Sequence, residues 1–226
     1  MAEIFDDWPD KYDQWFSTPI GSLVKQTESE LLLRMVSPLP GERVLDAGCG
    51  TGLFALDLLC AGAQIVGLEL SLPMLRRAGK RLSGCSFQAV QGNISRLPFA
   101  DHAFHKAVSV TAIEFIEDAR GAIAELFRVT RPGGRIVVAT LNSLSPWAAR
   151  RKQAAQKGHS IFQHVRFRSP DELEALAPVA GVTETAIHFQ KGDEPDVARG
   201  IEQGGRSKGL KTGAFLVTRW EKPASL

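Results

Sequence analysis

Two features carry residue types whose spacing could hold a nucleotide-like ligand. The run Val44-Leu45-Asp46-Ala47-Gly48-Cys49-Gly50-Thr51-Gly52 passes from an apolar strand into a glycine turn and then into a helix start. Glycines let the backbone come close to a ligand, and the free N–H groups of a helix start favour a negative group there. Glu69 follows 21 residues after Gly48, at the end of the next apolar run. An acid at that distance can accept from both hydroxyls of an unphosphorylated ribose. The glycines at 48, 50 and 52 read Gly-x-Gly-x-Gly, whereas a dinucleotide fold needs Gly-x-Gly-x-x-Gly and would want its third glycine where Leu53 stands.

Two further groups could handle a proton. Glu114 is the only ionisable residue in Thr111-Ala112-Ile113-Glu114-Phe115-Ile116, where it could orient a substrate, act as a base, or simply complement a helix dipole. His164, in Phe162-Gln163-His164-Val165-Arg166-Phe167, is a second candidate base or a surface histidine. His105, near a strand start, reads as a surface or packing residue.

The elements that must position these groups follow from hydrophobic patterning. Short apolar runs alternate with helical patterns from Arg43 to Thr140, which is the pattern of βαβ units feeding a parallel sheet. Strands are expected at Val44–Ala47, Ile65–Leu68, Phe87–Val90, Ala107–Val110 and Arg135–Thr140. Helices are expected at Leu53–Ala61, at Leu72–Leu82 capped by Ser71, and from Asp118 to Val129, the last stopped by Pro132-Gly133-Gly134. Ser145-Pro146 opens another helix, and Ser169-Pro170-Asp171-Glu172 forms a capping box. Val182–Phe189 and Ala214–Trp220 alternate like strands, and the Gly-rich, charged stretch 191–213 between them reads as a mobile loop or hairpin connection. Residues 1–40 lack a strand, carry Trp8, Tyr12, Trp15 and Phe16, and are expected to be a helical lid segment over the domain formed by 41–226, with one helix at about Gly21 to Val36.

Together these runs resemble the class I S-adenosylmethionine-dependent methyltransferases, from about Tyr12 to at least Phe189, and within them the branch that includes quinone-biosynthesis methyltransferases. Val44–Gly52 is similar to that family's first motif, Gly67-Leu68-Glu69-Leu70-Ser71 to its ribose-binding acid, and Gly92–Phe99 to its adenine-side loop. Arg131-Pro132-Gly133-Gly134-Arg135 is similar to the turn before strand five, and Tyr12-Asp13-Gln14-Trp15-Phe16 to an N-terminal Tyr-Asp-x-Trp-Phe motif. The family usually has Asp where this chain has Asn93, and Phe-Asp where it has Phe104-His105; an asparagine oxygen can still accept from an adenine amino group. The resemblance implies an α/β, doubly wound, Rossmann-like fold with a seven-stranded, mostly parallel sheet whose last strand is antiparallel. It also implies S-adenosyl-L-methionine as cofactor, held by Asp46, Gly48, Cys49, Gly50, Gly52, Glu69, Leu70, Met74, Asn93, Ile94 and Thr111, with Tyr12 and Trp15 closing over it. Glu114 and His164 are then the candidate catalytic residues in transfer of a methyl group to a small-molecule acceptor.

Size and charge bound the alternatives. A chain of 226 residues with 44% hydrophobic content can bury the core of one α/β domain. No window approaches the ~18 consecutive apolar residues of a membrane span, and the start Met1-Ala-Glu-Ile-Phe-Asp-Asp is acidic, so a cytoplasmic protein is expected. Cys49, Cys60 and Cys85 are too few and too scattered for a metal site or a disulfide framework. Net charge is −2 over 1–142 and +4 over 143–226. Basic runs such as Arg150-Arg151-Lys152 read either as solvated helix faces or as a surface that attracts an anionic substrate. A nicotinamide-dependent reductase shares the architecture, but its short-chain form needs a Tyr and Lys four residues apart, and the only tyrosine is Tyr12. A non-catalytic cofactor-binding protein is the other alternative. Nucleic acid is disfavoured as substrate, since no Asn/Asp-Pro-Pro-aromatic run follows strand four. The acceptor and the oligomeric state stay open.

Overall fold

The computed structural model describes residues 5–6, 9–158 and 160–224, the side chains of Lys11, Tyr12 and Ser160 excepted. Seven strands form one sheet in the order β3-β2-β1-β4-β5-β7-β6, with β1 Arg43–Ala47, β2 Gln64–Glu69, β3 Phe87–Gln91, β4 Phe104–Val110, β5 Thr130–Leu141, β6 Val182–Ala186 and β7 Phe215–Glu221. The first five strands pair in parallel, and β7 runs antiparallel between β5 and β6. This is the doubly wound arrangement expected from the sequence, with the last strand reversed. The chain winds outward from β1 in both directions, so the connections after β1 and β4 part on opposite faces and leave a crevice at the carboxyl ends of those strands.

Strand periodicity explains how one buried sheet serves two cores. Val44, Ile65, Val108 and Val137 face one apolar cluster while their neighbours Leu45, Val66, Ala107 and Val138 face the other. The first cluster lies under α2 Pro19–Val36, which follows α1 Pro9–Phe16, and under α3 Ala55–Cys60. Beside them on that side, α4 Leu72–Arg81 packs Leu75 and Ala78 against Cys49 and Phe87. The second cluster lies under α5 Ala119–Val129 and α8 Pro170–Glu174, while α6 Pro146–Gln156 and the short α7 Ser160–Gln163 stand above the carboxyl edge. Caps fix the helix starts: Thr18, Ser71, Asp118 and Ser145 each accept from a backbone N–H three residues on, and Ser169 and Glu172 complete the expected capping box. Among the described residues, no helix is long and apolar enough to cross a membrane.

Several expectations need correction. The first forty residues are not all a lid: Leu31, Leu32 and Val36 of α2 are core residues, and Trp15 and Phe16 at the end of α1 pack against the same cluster. The helix after the glycine turn is shorter than Leu53–Ala61, because Gly52, at φ +78°, keeps the chain turning until Phe54. Pro132-Gly133-Gly134 is not a stop between elements but a bulge inside β5, where Phe104 pairs with Thr130 and Lys106 with Arg135. Strand β6 ends at Ala186 because Ile187 turns at φ +65°. The stretch 191–213 contains a thirteen-residue helix, α9 Pro195–Ser207. Its glycines suggested a loop, yet Gly205 is there for packing, since a Cβ would stand 2.3 Å from the His188 ring. Burial of Ala198, Glu202 and Gly205 along one face overrides the poor helix propensity.

Candidate functional site

The crevice is built first from the glycine turn after β1. Gly48 and Cys49 both donate to the Leu68 carbonyl, at 2.7 and 3.0 Å, which ties the turn to β2. All three glycines have positive φ, but their surroundings differ. A Cβ on Gly48 would lie 2.5 Å from the Ala112 side chain, and one on Gly52 would lie 2.9 Å from Leu82 and 3.2 Å from Ala78. A Cβ on Gly50 would meet nothing within 4 Å, because it would point into the cavity. Gly52 is therefore a packing glycine against α4, outside the cavity lining, which corrects its expected place in the ligand site.

Glu69 ends β2 directly across from this turn. One carboxylate oxygen accepts from Gly50 N–H at 3.0 Å, and the other from Leu70 and Ser71 N–H at 2.8 and 2.9 Å. Burial raises its pKa against the pull of these three bonds. Asp46, buried in β1 beside it, is pushed up to about 7, mainly by burial and then by the charge of Glu69. Cys49, Leu70, Met74, Asn93 and Ile94 line the same end. The Asn93 side-chain oxygen closes a turn onto Ser95 N–H at 2.9 Å, which fixes the amide at the rim. Thr111 continues the wall after β4 at φ +48°, a conformation a β-branched residue adopts only where its surroundings impose it.

The other end of the cavity joins groups from three elements. Glu114 lies in a 3-10 turn, Ile113–Phe115, with Oε2 accepting from Thr140 at 3.1 Å and a buried Oε1 without a partner among the described residues. Burial pushes its pKa up to about 7, against hydrogen bonds from its own backbone N–H and from Thr140, and against the charges of Arg168 and Arg151. Glu28 of α2 faces it, raised to about 8 by burial, with Arg151 and Lys25 opposing and Glu114 reinforcing the shift. Arg151 of α6 lies over the rings of Trp147 and Phe162, at 5.3 and 5.7 Å from their centroids. Trp147 is anchored by its indole N–H, which donates to the Phe189 carbonyl at 2.7 Å. Arg150 and Lys191 also line the wall, the latter 4.8 Å over the Trp15 ring.

α1 closes one side of the mouth. Asp13 accepts from the Thr51 hydroxyl at 2.9 Å and pairs with Arg81 at 2.7 Å, and Arg81 also donates to the Thr51 carbonyl. Thus α1 is fastened to the glycine turn itself. Trp15 packs edge-on against Trp147 and lines the cavity, and Phe5 meets Phe115 edge-on at 4.9 Å. Gly21 permits the sharp α1–α2 corner, since a Cβ there would overlap the Trp15 carbonyl. The side chain of Tyr12 lies outside the described residues.

One cavity of about 520 Å³ connects both ends. Of the residues singled out from the sequence, Asp46, Gly48, Cys49, Gly50, Glu69, Leu70, Met74, Asn93, Ile94, Thr111, Glu114 and Trp15 line it. His164 is not among them: Ile161 and Phe162 of α7 take the inward face, which leaves His164 exposed in the turn that follows. That removes it as a candidate base. Glu28 and Lys191 were missed, and Arg150 and Arg151 were named only within a basic run read as solvated or substrate-attracting. A signal existed for two of them: Glu28 falls on the apolar stripe Val24, Leu31, Leu32, Met35, and Arg151 stands four residues after the buried Trp147.

Residues 45–138 match the family model described as a methyltransferase domain. The chain is 36% identical over 149 residues to a demethylmenaquinone methyltransferase of Beutenbergia cavernae, an alignment that covers 66% of this chain but only 60% of that protein. It is 30% identical over 219 residues to a malonyl-[acyl-carrier protein] O-methyltransferase of Salmonella typhimurium, covering 87% of this chain and 83% of that one. The crystal structure of an S-adenosylmethionine-dependent methyltransferase from Thermotoga maritima superposes with a TM-score of 0.74 at 24% identity, over 98% of this chain and all of that one, and bears on the fold.

Proposed function

The chain belongs to the S-adenosylmethionine-dependent methyltransferases, and from that premise we propose that it transfers the methyl group of S-adenosylmethionine to a small-molecule acceptor held at the Glu28–Glu114–Arg151 end of the cavity. One observation carries the reading: the open face of Gly50 and the buried carboxylate of Glu69 share a single cavity with an acceptor-side wall of aromatic and charged residues. The space a Cβ would take at Gly50 fits a cofactor pressed against the turn, and Glu69 is held by three backbone N–H groups with its oxygens set to accept from ribose hydroxyls.

Leu70, Met74 and Ile94 supply apolar contacts for a base, and Asn93 a polar group at its edge. Bound there, the cofactor supplies a methyl group already activated on a positively charged sulfur, which departs as a neutral thioether. The protein's share is alignment and exclusion of water. Holding a nucleophile in line is worth ~7–11 kcal/mol of barrier, and the walls formed by Trp15, Phe115 and Trp147 restrict the acceptor's freedom. Glu114, with a pKa near 7, is suited to take a proton from the acceptor at its unpartnered Oε1. The glycine spacing and the methyltransferase relatives leave the nicotinamide-dependent alternative without support.

The test is a screen of small acceptors read by release of S-adenosylhomocysteine, with Glu69→Ala as control. Turnover that Glu69→Ala suppresses supports the proposal, and turnover indifferent to Glu69 contradicts it.

A further inference from the structure

The acceptor end holds polar groups that the fold leaves without hydrogen bonds. Among the described residues, neither the Glu28 carboxyl nor the Arg151 guanidinium has a hydrogen bond, and Glu114 Oε1 is unpartnered as well. Buried polar atoms are ordinarily hydrogen-bonded, so the buried Glu114 Oε1, with Glu28 and the half-buried Arg151 lining the same void without hydrogen bonds, points to a ligand that completes them. We propose that this end of the cavity is an anion seat, in which Arg151 binds the carboxylate or phosphate head of an acceptor whose body is apolar. The inference rests on the methyltransferase reading for the word acceptor, but the seat itself is a binding site that can be tested alone.

The wall decides the sign of the head. An arginine resting over aromatic rings keeps its planar N–H edge for hydrogen bonds, and that edge matches the two oxygens of a carboxylate or phosphate. Trp147 bears both Arg150 and Arg151, and Lys191 lies over Trp15, so three cations line this wall. The two facing acids offset them only in part near neutrality, because burial raises Glu28 to about 8, where it is mostly protonated, and Glu114 to about 7, where it is about half ionised. A protonated carboxyl donates, so Glu28 can complete the shell of a bound anion while Glu114 stays free to accept a proton. An ammonium head would have to pass the three cations and displace those protons.

Alkalinity should then empty the seat. As pH rises through the values of Glu114 and Glu28, both become carboxylates facing the head, opposed by Arg151, Lys25 and Arg168. Anion affinity therefore falls from about pH 7 to about pH 9.

Tryptophan fluorescence can report binding, since Trp15 and Trp147 line the cavity. The full chain is titrated with 3-phenylpropanoate, phenyl phosphate, 3-phenylpropanamide and 3-phenylpropylamine, with and without S-adenosylhomocysteine. At least one anion should bind about ten-fold or more tighter than the amide and the amine, and the two anionic arms tell which head is preferred. Arg151→Gln should bring that anion down to the amide's level, while Arg151→Lys, which keeps charge without the fork, should be intermediate. Glu28→Gln should flatten the alkaline decline, because the carboxylate that forms there is gone, and a decline of unchanged steepness overturns the pH reading of the seat. An amide that binds as well as the anions, a preference for the amine, no anion binding, or a preference that survives in a folded Arg151→Gln protein overturns the proposal. Calorimetry with S-adenosylhomocysteine separates the two readings: binding there without anion preference sinks the seat alone, whereas anion preference without cofactor binding sinks the methyltransferase reading alone.

Discussion

Alanine at each of the three turn glycines should damage the protein in a different way. At Gly50 the added methyl meets no protein atom within 4 Å, so the folded state bears only the cost of a side chain at φ +54°, about 1–2 kcal/mol. At Gly52 the same kind of strain is joined by contacts of 2.9 Å to Leu82 and 3.2 Å to Ala78. Overpacking of that kind adds roughly 1–3 kcal/mol, for a total of about 2–5 kcal/mol. For a domain of this size each kcal/mol shifts Tm by roughly 2–4 °C, so Gly52→Ala should lower Tm about twice as far as Gly50→Ala. Binding should rank the other way, since only the Gly50 methyl enters the cavity. Gly50→Ala is expected to weaken S-adenosylhomocysteine binding by about 10–100-fold, and Gly52→Ala by less than about five-fold. Gly48→Ala, with its methyl 2.5 Å from the Ala112 side chain, should lose both stability and binding. Calorimetric titration and differential scanning fluorimetry on the same preparations give both rankings. If Gly50→Ala binds as the parent does, or if Gly52→Ala keeps its Tm and loses the ligand, the division of labour within the turn is refuted.

Other perturbations follow from the same geometry. Glu69→Ala should weaken cofactor binding by ~1.5–3 kcal/mol through lost charge-assisted hydrogen bonds, and a loss of only a few tenths would show that the carboxylate serves the loop alone. Without ligand, stability should fall with rising pH: Glu28 and Glu114, buried with raised pKa values of about 8 and 7, hold protons that the unfolded chain releases nearer its ordinary 4.5. The decline should span roughly pH 5 to 8 and be reduced in Glu28→Gln; a Tm that rises across that window would contradict it. Asp13→Asn should loosen α1 from Arg81 and Thr51, lowering cofactor affinity about five-fold with a Tm loss of only roughly 1–3 °C. Limited proteolysis within 9–16 should also slow when S-adenosylhomocysteine is added, and absence of protection would make α1 structural only.

The half of the cavity proposed to hold the cofactor was legible because it is written in consecutive residues. A strand, a glycine turn and an acid one βαβ unit later are local patterns, so Asp46, Gly48, Gly50 and Glu69 emerge together at one cavity mouth. The acceptor half is assembled from α2, α6 and the turn after β4, which only the tertiary fold brings together. Glu28 falls on the apolar stripe of α2 and is buried with its neighbours Thr27 and Ser29, but the helical pattern alone does not say what that stripe faces. Arg150-Arg151-Lys152 read as solvated or substrate-directed, and the structure divides the run: Lys152 is exposed, whereas Arg150 and Arg151 line the cavity. His164 failed for the opposite reason, since its chemistry recommended it while the turn after α7 leaves it exposed. α9 was lost because glycine propensity said loop while packing beside His188 demanded glycine.

The most direct test of the central claim is a calorimetric titration of the chain with S-adenosylmethionine, with NADH in parallel. One molecule of S-adenosylmethionine should bind per chain, Gly50→Val and Glu69→Ala should abolish or sharply weaken that binding, and NADH should give no saturable heat. Failure of S-adenosylmethionine to bind, or binding unchanged in both variants, would contradict the assignment of this cavity.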